Sequence, residues 1–137
     1  MSHHASHTLL LIGTLTIMQP AHAETPANIL AGFEQQARQG SPDFKGFSSA
    51  RGGQFFKSIH GNDWSCATCH TEHPIGPGKH AKTGKVIQPL APAANAKRFS
   101  DPAKVEKWFK RNCNDVLARS CTALEKGDVL TYLLSLK

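Results

Sequence analysis

The chain has 137 residues, 39% of them hydrophobic, and a formal net charge of +6 at pH 7. That length suits one small domain, and the apolar content excludes a chain too polar to fold. Lys and Arg are scattered, without a basic run or interleaved aromatics, so the charge reads as a solvated surface steering an acidic partner and not as a nucleic-acid footprint.

The N-terminus carries an export signature. Leu9 to Met18 is an apolar stretch of signal-peptide length, and Ala21-His22-Ala23 is a small-x-small cleavage site. The leading segment is unusual in holding His3, His4 and His7 but no Lys or Arg. A membrane anchor is disfavoured, because the apolar run is too short to span a bilayer. The expected organisation is a cleaved signal over 1–23 and a single domain over 24–137, exported to the periplasm, where disulfides are permitted.

Thr25 followed by Pro26 opens a first helix, with Ile29, Leu30, Phe33 and Ala37 at helical spacing and Gly40 able to end it. After a Ser-Pro-Asp-Phe linker, a second helix is expected over Ser48 to Ser58. The stretch from His73 to Pro92 is rich in proline and glycine and reads as loop. Ser100 or Asp101 before Pro102 starts a third helix, whose Val105, Trp108, Phe109 and Asn112 share one face. Thr122 to Glu125 forms a capping box for the last helix; Leu130, Leu133, Leu134 and Leu136 give it an apolar side, and Gly127 weakens it. Nothing alternates as a strand. The fold class is all-α.

Between the second helix and the loop stands Cys66-Ala67-Thr68-Cys69-His70, the C-x-x-C-H pattern of covalent haem c attachment. Two thiols at this spacing can add to the two vinyl groups of one porphyrin, and the adjoining histidine then becomes the proximal iron ligand. A redox C-x-x-C would want a βαβ context, and zinc would want four ligands at a different spacing.

The sixth iron position is open to several candidates. The only methionines, Met1 and Met18, leave with the signal, which excludes the ligand that raises the potential of ordinary cytochromes c. His60, His73, His80, Asn112, a lysine or an open site remain. His60 and His73 flank the proximal motif too closely to reach over the ring, while His80 sits in a polar loop. Asn112 is an amide at the end of an apolar stripe, where it either bonds something or caps the helix. Cys113 and Cys121, with seven residues between them, most simply form a disulfide in an oxidising compartment. Such a bridge is worth about 2–3 kcal/mol in the chain-entropy account.

Arg51-Gly52 with Phe56, and a C-terminal Tyr132-Leu133-Leu134, resemble the crossing helices of class I cytochromes c. Lys82-Thr83-Gly84-Lys85, Pro89-Leu90-Ala91-Pro92, Lys97-Arg98-Phe99 and Arg111-Asn112-Cys113-Asn114 are similar to the group formed by sphaeroides haem protein and cytochrome c double-prime. The resemblance covers roughly Gly52 to Leu136. It implies a class I helical fold around one covalent haem, with an extra N-terminal helix and one disulfide. It also implies that Asn112 is a weak distal ligand, leaving on reduction so that a diatomic gas (O2, NO or CO) can bind. Lys85 and Arg98, in shared segments, become expected propionate partners, and Pro89 or Pro92 could offer a carbonyl to the proximal imidazole. An oxygen- or nitric oxide-consuming activity is conceivable, with a redox partner cytochrome as donor and a monomer as the expected state. The alternative is a plain electron carrier whose haem stays six-coordinate, with a histidine, His80, on the distal side.

Overall fold

The structure, a computed structural model, describes residues 24–137; the expected signal over 1–23 lies outside the described residues. Five helices and one short hairpin follow in chain order: α1 (Pro26–Gly40), α2 (Ser49–Lys57), α3 (Ala67–His70), β1 (Gly78–Lys79), β2 (Val86–Ile87), α4 (Pro102–Leu117) and α5 (Ala123–Ser135).

The helix starts follow the chemistry expected of them. The Thr25 hydroxyl accepts from Asn28 N–H, Ser48 from Arg51 N–H and Asp101 from Lys104 N–H, each satisfying an orphan donor of a first turn. At α5 the capping box is complete, with Glu125 Oε2 accepting from Thr122 N–H at 2.8 Å and Thr122 Oγ1 accepting from Glu125 N–H at 3.2 Å.

The centre of the molecule is the crossing of α2 and α5. Gly52 lies against the backbone carbonyl of Asp128, and Gly53 lies under the Tyr132 ring. A side chain on Gly52 would collide with that carbonyl, so the close approach requires a glycine. Asp128 is buried at this crossing and satisfied three ways: its carboxylate accepts from Ser48 N–H (2.7 Å), Arg51 Nε (2.7 Å) and Arg51 Nη2 (2.8 Å). Phe56, Leu130 and Leu133 are fully buried beside it, each worth about 1.5–3 kcal/mol of transfer free energy. The additional helix α1 adds Ile29 and Phe33 to the same core.

Three expectations need correction. The loop from His73 to Pro92 contains an antiparallel hairpin, Gly78 pairing with Ile87 and Lys79 with Val86; two-residue strands are too short to show alternation in a sequence. On α5 the buried apolar side chains are Val129, Leu130 and Leu133, while Leu134 stands 39% exposed and Leu136 half-buried. Gly127 is not merely a weak point, because the Phe47 ring occupies the space a side chain would take.

Candidate haem site

The motif residues are held by local hydrogen bonding. Ser65 is buried; its N–H donates to Thr68 Oγ1, and its own hydroxyl accepts from Thr68 N–H, both at 3.0 Å. These bonds wind Cys66 to His70 into the single turn of α3. Cys66 and Cys69 are both free thiols. Burial, and then the neighbouring Cys69, push the Cys66 thiol up to about 12. A reactive dithiol needs a lowered thiol pKa, and burial moves Cys66 the other way.

His70 ends α3 with its ring 6.4 Å from that of Phe56. Burial, reinforced by the positive charge of Arg98, drops its pKa to about 4. The imidazole is therefore neutral at physiological pH, the form that ligates a metal. Among the described residues its ring nitrogens have no hydrogen-bond partner. The hairpin closes over this turn, with Gly78 packed against the carbonyl of Cys69 and Cα of His70. At its tip, Ala81 N–H lies 3.4 Å from Cys69 Sγ.

Arg98 is half-buried and clamped by two loop carbonyls, Nε donating to Pro89 O (2.9 Å) and Nη2 to Gln88 O (2.8 Å). Burial lowers its pKa without neutralising it. The Pro89 carbonyl, expected as an imidazole acceptor, is thus engaged by Arg98, with Asn95 Nδ2 at 3.4 Å as a second donor. Lys85 is exposed at the start of the return strand, with its ammonium uncommitted among the described residues.

On α4 the buried stripe is Val105, Cys113, Val116 and Leu117, with Phe109 half-buried among them. Trp108 and Asn112 therefore form an adjacent row, one helical turn apart and exposed, and not the continuation of the core face. Asn112 is no cap: α4 runs on to Leu117 and ends at Ala118, which takes the left-handed conformation (φ 58). Directly after it, Cys113 is joined to Cys121 in a disulfide, which ties α4 to the segment entering α5.

A second tie was not foreseen from the sequence. Asn62, four residues before Cys66, donates from Nδ2 to the carbonyls of Asn114 (3.2 Å) and Asp115 (3.0 Å), and its N–H donates to Val116 O (3.1 Å). The segment that leads into the thiol motif thereby closes the last turn of the Asn112 helix. Trp64 supports the same junction by packing against Cys113, Val116 and Leu117. Asparagine among Gly61, Asp63 and Trp64 reads only as a turn residue, so no sequence signal marks it.

The remaining histidines are engaged elsewhere or exposed. His60 Nε2 donates to Phe55 O at 2.8 Å. His80 Nδ1 accepts from the N–H groups of Lys82 and Thr83, each at 3.3 Å. His73 is exposed. The site therefore fits a covalent haem in its donor set: two thiols outside any disulfide on one turn, a neutral imidazole without a hydrogen-bond partner among the described residues, and a clamped cation close by.

A family model described as a domain of unknown function, DUF1924, matches residues 42–133. Cytochrome c'' of Methylophilus methylotrophus is 48% identical over 80 residues, which are 58% of this chain and 56% of that protein; the chain thus matches little more than half of that relative's length. Cytochrome c-type protein SHP of Cereibacter sphaeroides is 41% identical over 132 residues, 92% of this chain and 97% of the relative. The crystal structure of oxidised cytochrome c'' superposes with a TM-score of 0.75 at 36% identity, over 82% of this chain and 94% of that one. Oxidised SHP gives 0.71 at 41% identity, over 81% and 96%. The chain belongs to the DUF1924 family of monohaem c-type cytochromes that includes cytochrome c'' and SHP.

Proposed function

We propose that this cytochrome works in the periplasm, accepts one electron from a redox partner cytochrome, and on reduction gives up a weak Asn112 ligand so that a diatomic gas (O2, NO or CO) binds in its place. The observation that carries the reading is the setting of Asn112. It lies within α4, exposed, with no hydrogen-bond partner for its amide among the described residues, one residue before the disulfide. An amide with no structural task on so constrained a helix is available to a ligand.

In this reading Cys66 and Cys69 would carry the porphyrin as thioethers, and His70 would ligate the iron in its neutral form. Arg98 and Lys85 take the propionates. Haem, when bound, would supply one-electron exchange and a metal that takes a further ligand. The carboxamide oxygen of Asn112 is a hard, neutral donor, suited to ferric iron and poor for ferrous. The relatives favour the same behaviour: SHP is described as an oxygen-binding cytochrome c, and the solution structure of cytochrome c'' is discussed in terms of haem-ligand detachment. Ligation by His80 is disfavoured, because its Nδ1 already holds the hairpin turn together.

The test is the absorption spectrum of the dithionite-reduced holoprotein before and after carbon monoxide. A Soret shift with near-complete binding supports the release of Asn112. Sharp six-coordinate bands indifferent to the gas would leave a plain electron carrier with a histidine on the distal side.

A further inference from the structure

The last four carbonyls of a helix find no partner within it, and in α4 they belong to Asn114, Asp115, Val116 and Leu117. Three of them accept from a single residue elsewhere in the chain. Asn62 donates from Nδ2 to Asn114 O (3.2 Å) and Asp115 O (3.0 Å), and from its backbone N–H to Val116 O (3.1 Å). Gly61 lies against the fourth, the Leu117 carbonyl, so closely that a side chain at Gly61 would press on it. Gly61 and Asn62 together form a helix cap supplied from outside the helix.

The turn that makes this cap is braced. His60 N–H donates to Trp64 O (2.8 Å) and Asp63 N–H to His60 O (2.9 Å), with Asp63 in the left-handed conformation (φ 57). Trp64 packs against Cys113, Val116 and Leu117, and Cys66 begins the thiol motif two residues later. Asn62 is exposed, so water competes for its bonds and each adds little to stability. Their effect is directional, because they fix the end of α4 against the segment that carries Cys66, Cys69 and His70. The disulfide makes a different link, tying α4 to the approach to α5.

We propose that Asn62 is a positioning residue for Asn112: by capping α4 from the lead-in to the thiol motif, it holds the amide where the iron can take it. The inference rests on the ligand role proposed above for Asn112, and names the residue that keeps the two parts of the site in register. Asn112 stands two residues before the first carbonyl that Asn62 holds. An end of α4 that shifts or frays carries the amide away with it.

The experiment titrates ferric holoprotein with cyanide and follows the Soret band. Cyanide needs a vacant sixth position, so its apparent affinity reports the fraction of protein whose amide is off the iron. Asn62→Asp keeps the size of the side chain but turns a carboxylate toward two carbonyls in place of the N–H donors. It should raise the high-spin fraction of the ferric spectrum and tighten cyanide binding by about threefold or more. Asn62→Ala, which brings in no charge and keeps the backbone bond to Val116, should act in the same direction. Thr25→Ala, which removes only the cap of α1, should lower the melting temperature and leave cyanide affinity within about 1.5-fold. In an Asn112→Ala background, Asn62→Asp should still lower the melting temperature but change cyanide affinity by less than about twofold. An equal change with and without Asn112 would make Asn62 a staple only and overturn the proposal. If Asn112→Ala tightens cyanide binding while both Asn62 variants leave it unchanged, the positioning role alone falls. If Asn112→Ala itself leaves the ferric spectrum and cyanide affinity unchanged, the ligand role of Asn112 falls and this inference with it.

Discussion

In the function proposed above, one side chain, Asn112, decides how many ligands the iron keeps. Asn112→His replaces a hard oxygen with a nitrogen donor that serves both oxidation states, so carbon monoxide affinity should fall by about tenfold or more, read by titration of the reduced protein. Asn112→Ala should raise the high-spin fraction of the ferric spectrum and leave carbon monoxide binding intact. A second residue-level prediction concerns Glu125. Burial alone would raise its carboxyl pKa, but the Arg119 guanidinium at 2.6 Å and the Thr122 N–H outweigh that and hold it below the usual range. A carboxylate depressed on folding stabilises the protein above its unfolded pKa, and that contribution is lost as pH falls through the folded value. Arg119→Ala should therefore lower stability by about 0.5–1 kcal/mol at neutral pH, a modest figure because Arg119 is half-exposed and its pair is screened. The difference from the parent should shrink in melting curves taken toward pH 3. Thr122 and Glu125 were legible as a capping box because their spacing is the motif. Asn62 was not, since its three bonds reach across more than fifty residues to α4.

Helix ends were the most readable level of the chain, because caps are local chemistry: Thr25, Ser48, Asp101 and Thr122 each bond a backbone N–H within three residues. Faces were harder. The i, i+3, i+4, i+7 set of α4 placed Trp108 and Asn112 with Val105, whereas the packed stripe passes through Cys113, Val116 and Leu117. Cysteine counts as apolar once it is in a disulfide, and that shifts the buried face by one position. The crossing of α2 and α5 was anticipated from Gly52 only through likeness to other cytochromes, and its structural demand is now explicit. Gly52→Ala should destabilise the holoprotein by about 2–3 kcal/mol, since the obstacle is the Asp128 carbonyl and not a flexible side chain. Gly32→Ala, where a side chain meets nothing, should be neutral or slightly stabilising in the same denaturant titration.

For the molecule as a whole, the attachment motif announced the cofactor, and the fold adds how the halves are joined around it. Cys66→Ala with Cys69→Ala should leave haem extractable by acidified acetone and lower the melting temperature, because a small domain then depends on a modest core alone. The Asn62 bonds to the end of α4 carry a last consequence. Leu117 lies five residues past Asn112, about 7.5 Å along the axis at the usual helical rise. With that end moored by Asn62 and the disulfide, the helix behaves as a fixed beam, and in the function proposed above the amide would leave only by turning about its own side-chain bonds. Such turns take picoseconds to nanoseconds. If reduction loosens the amide as proposed, side-chain turning does not limit access, and uptake by the reduced protein should follow gas concentration linearly without reaching a plateau.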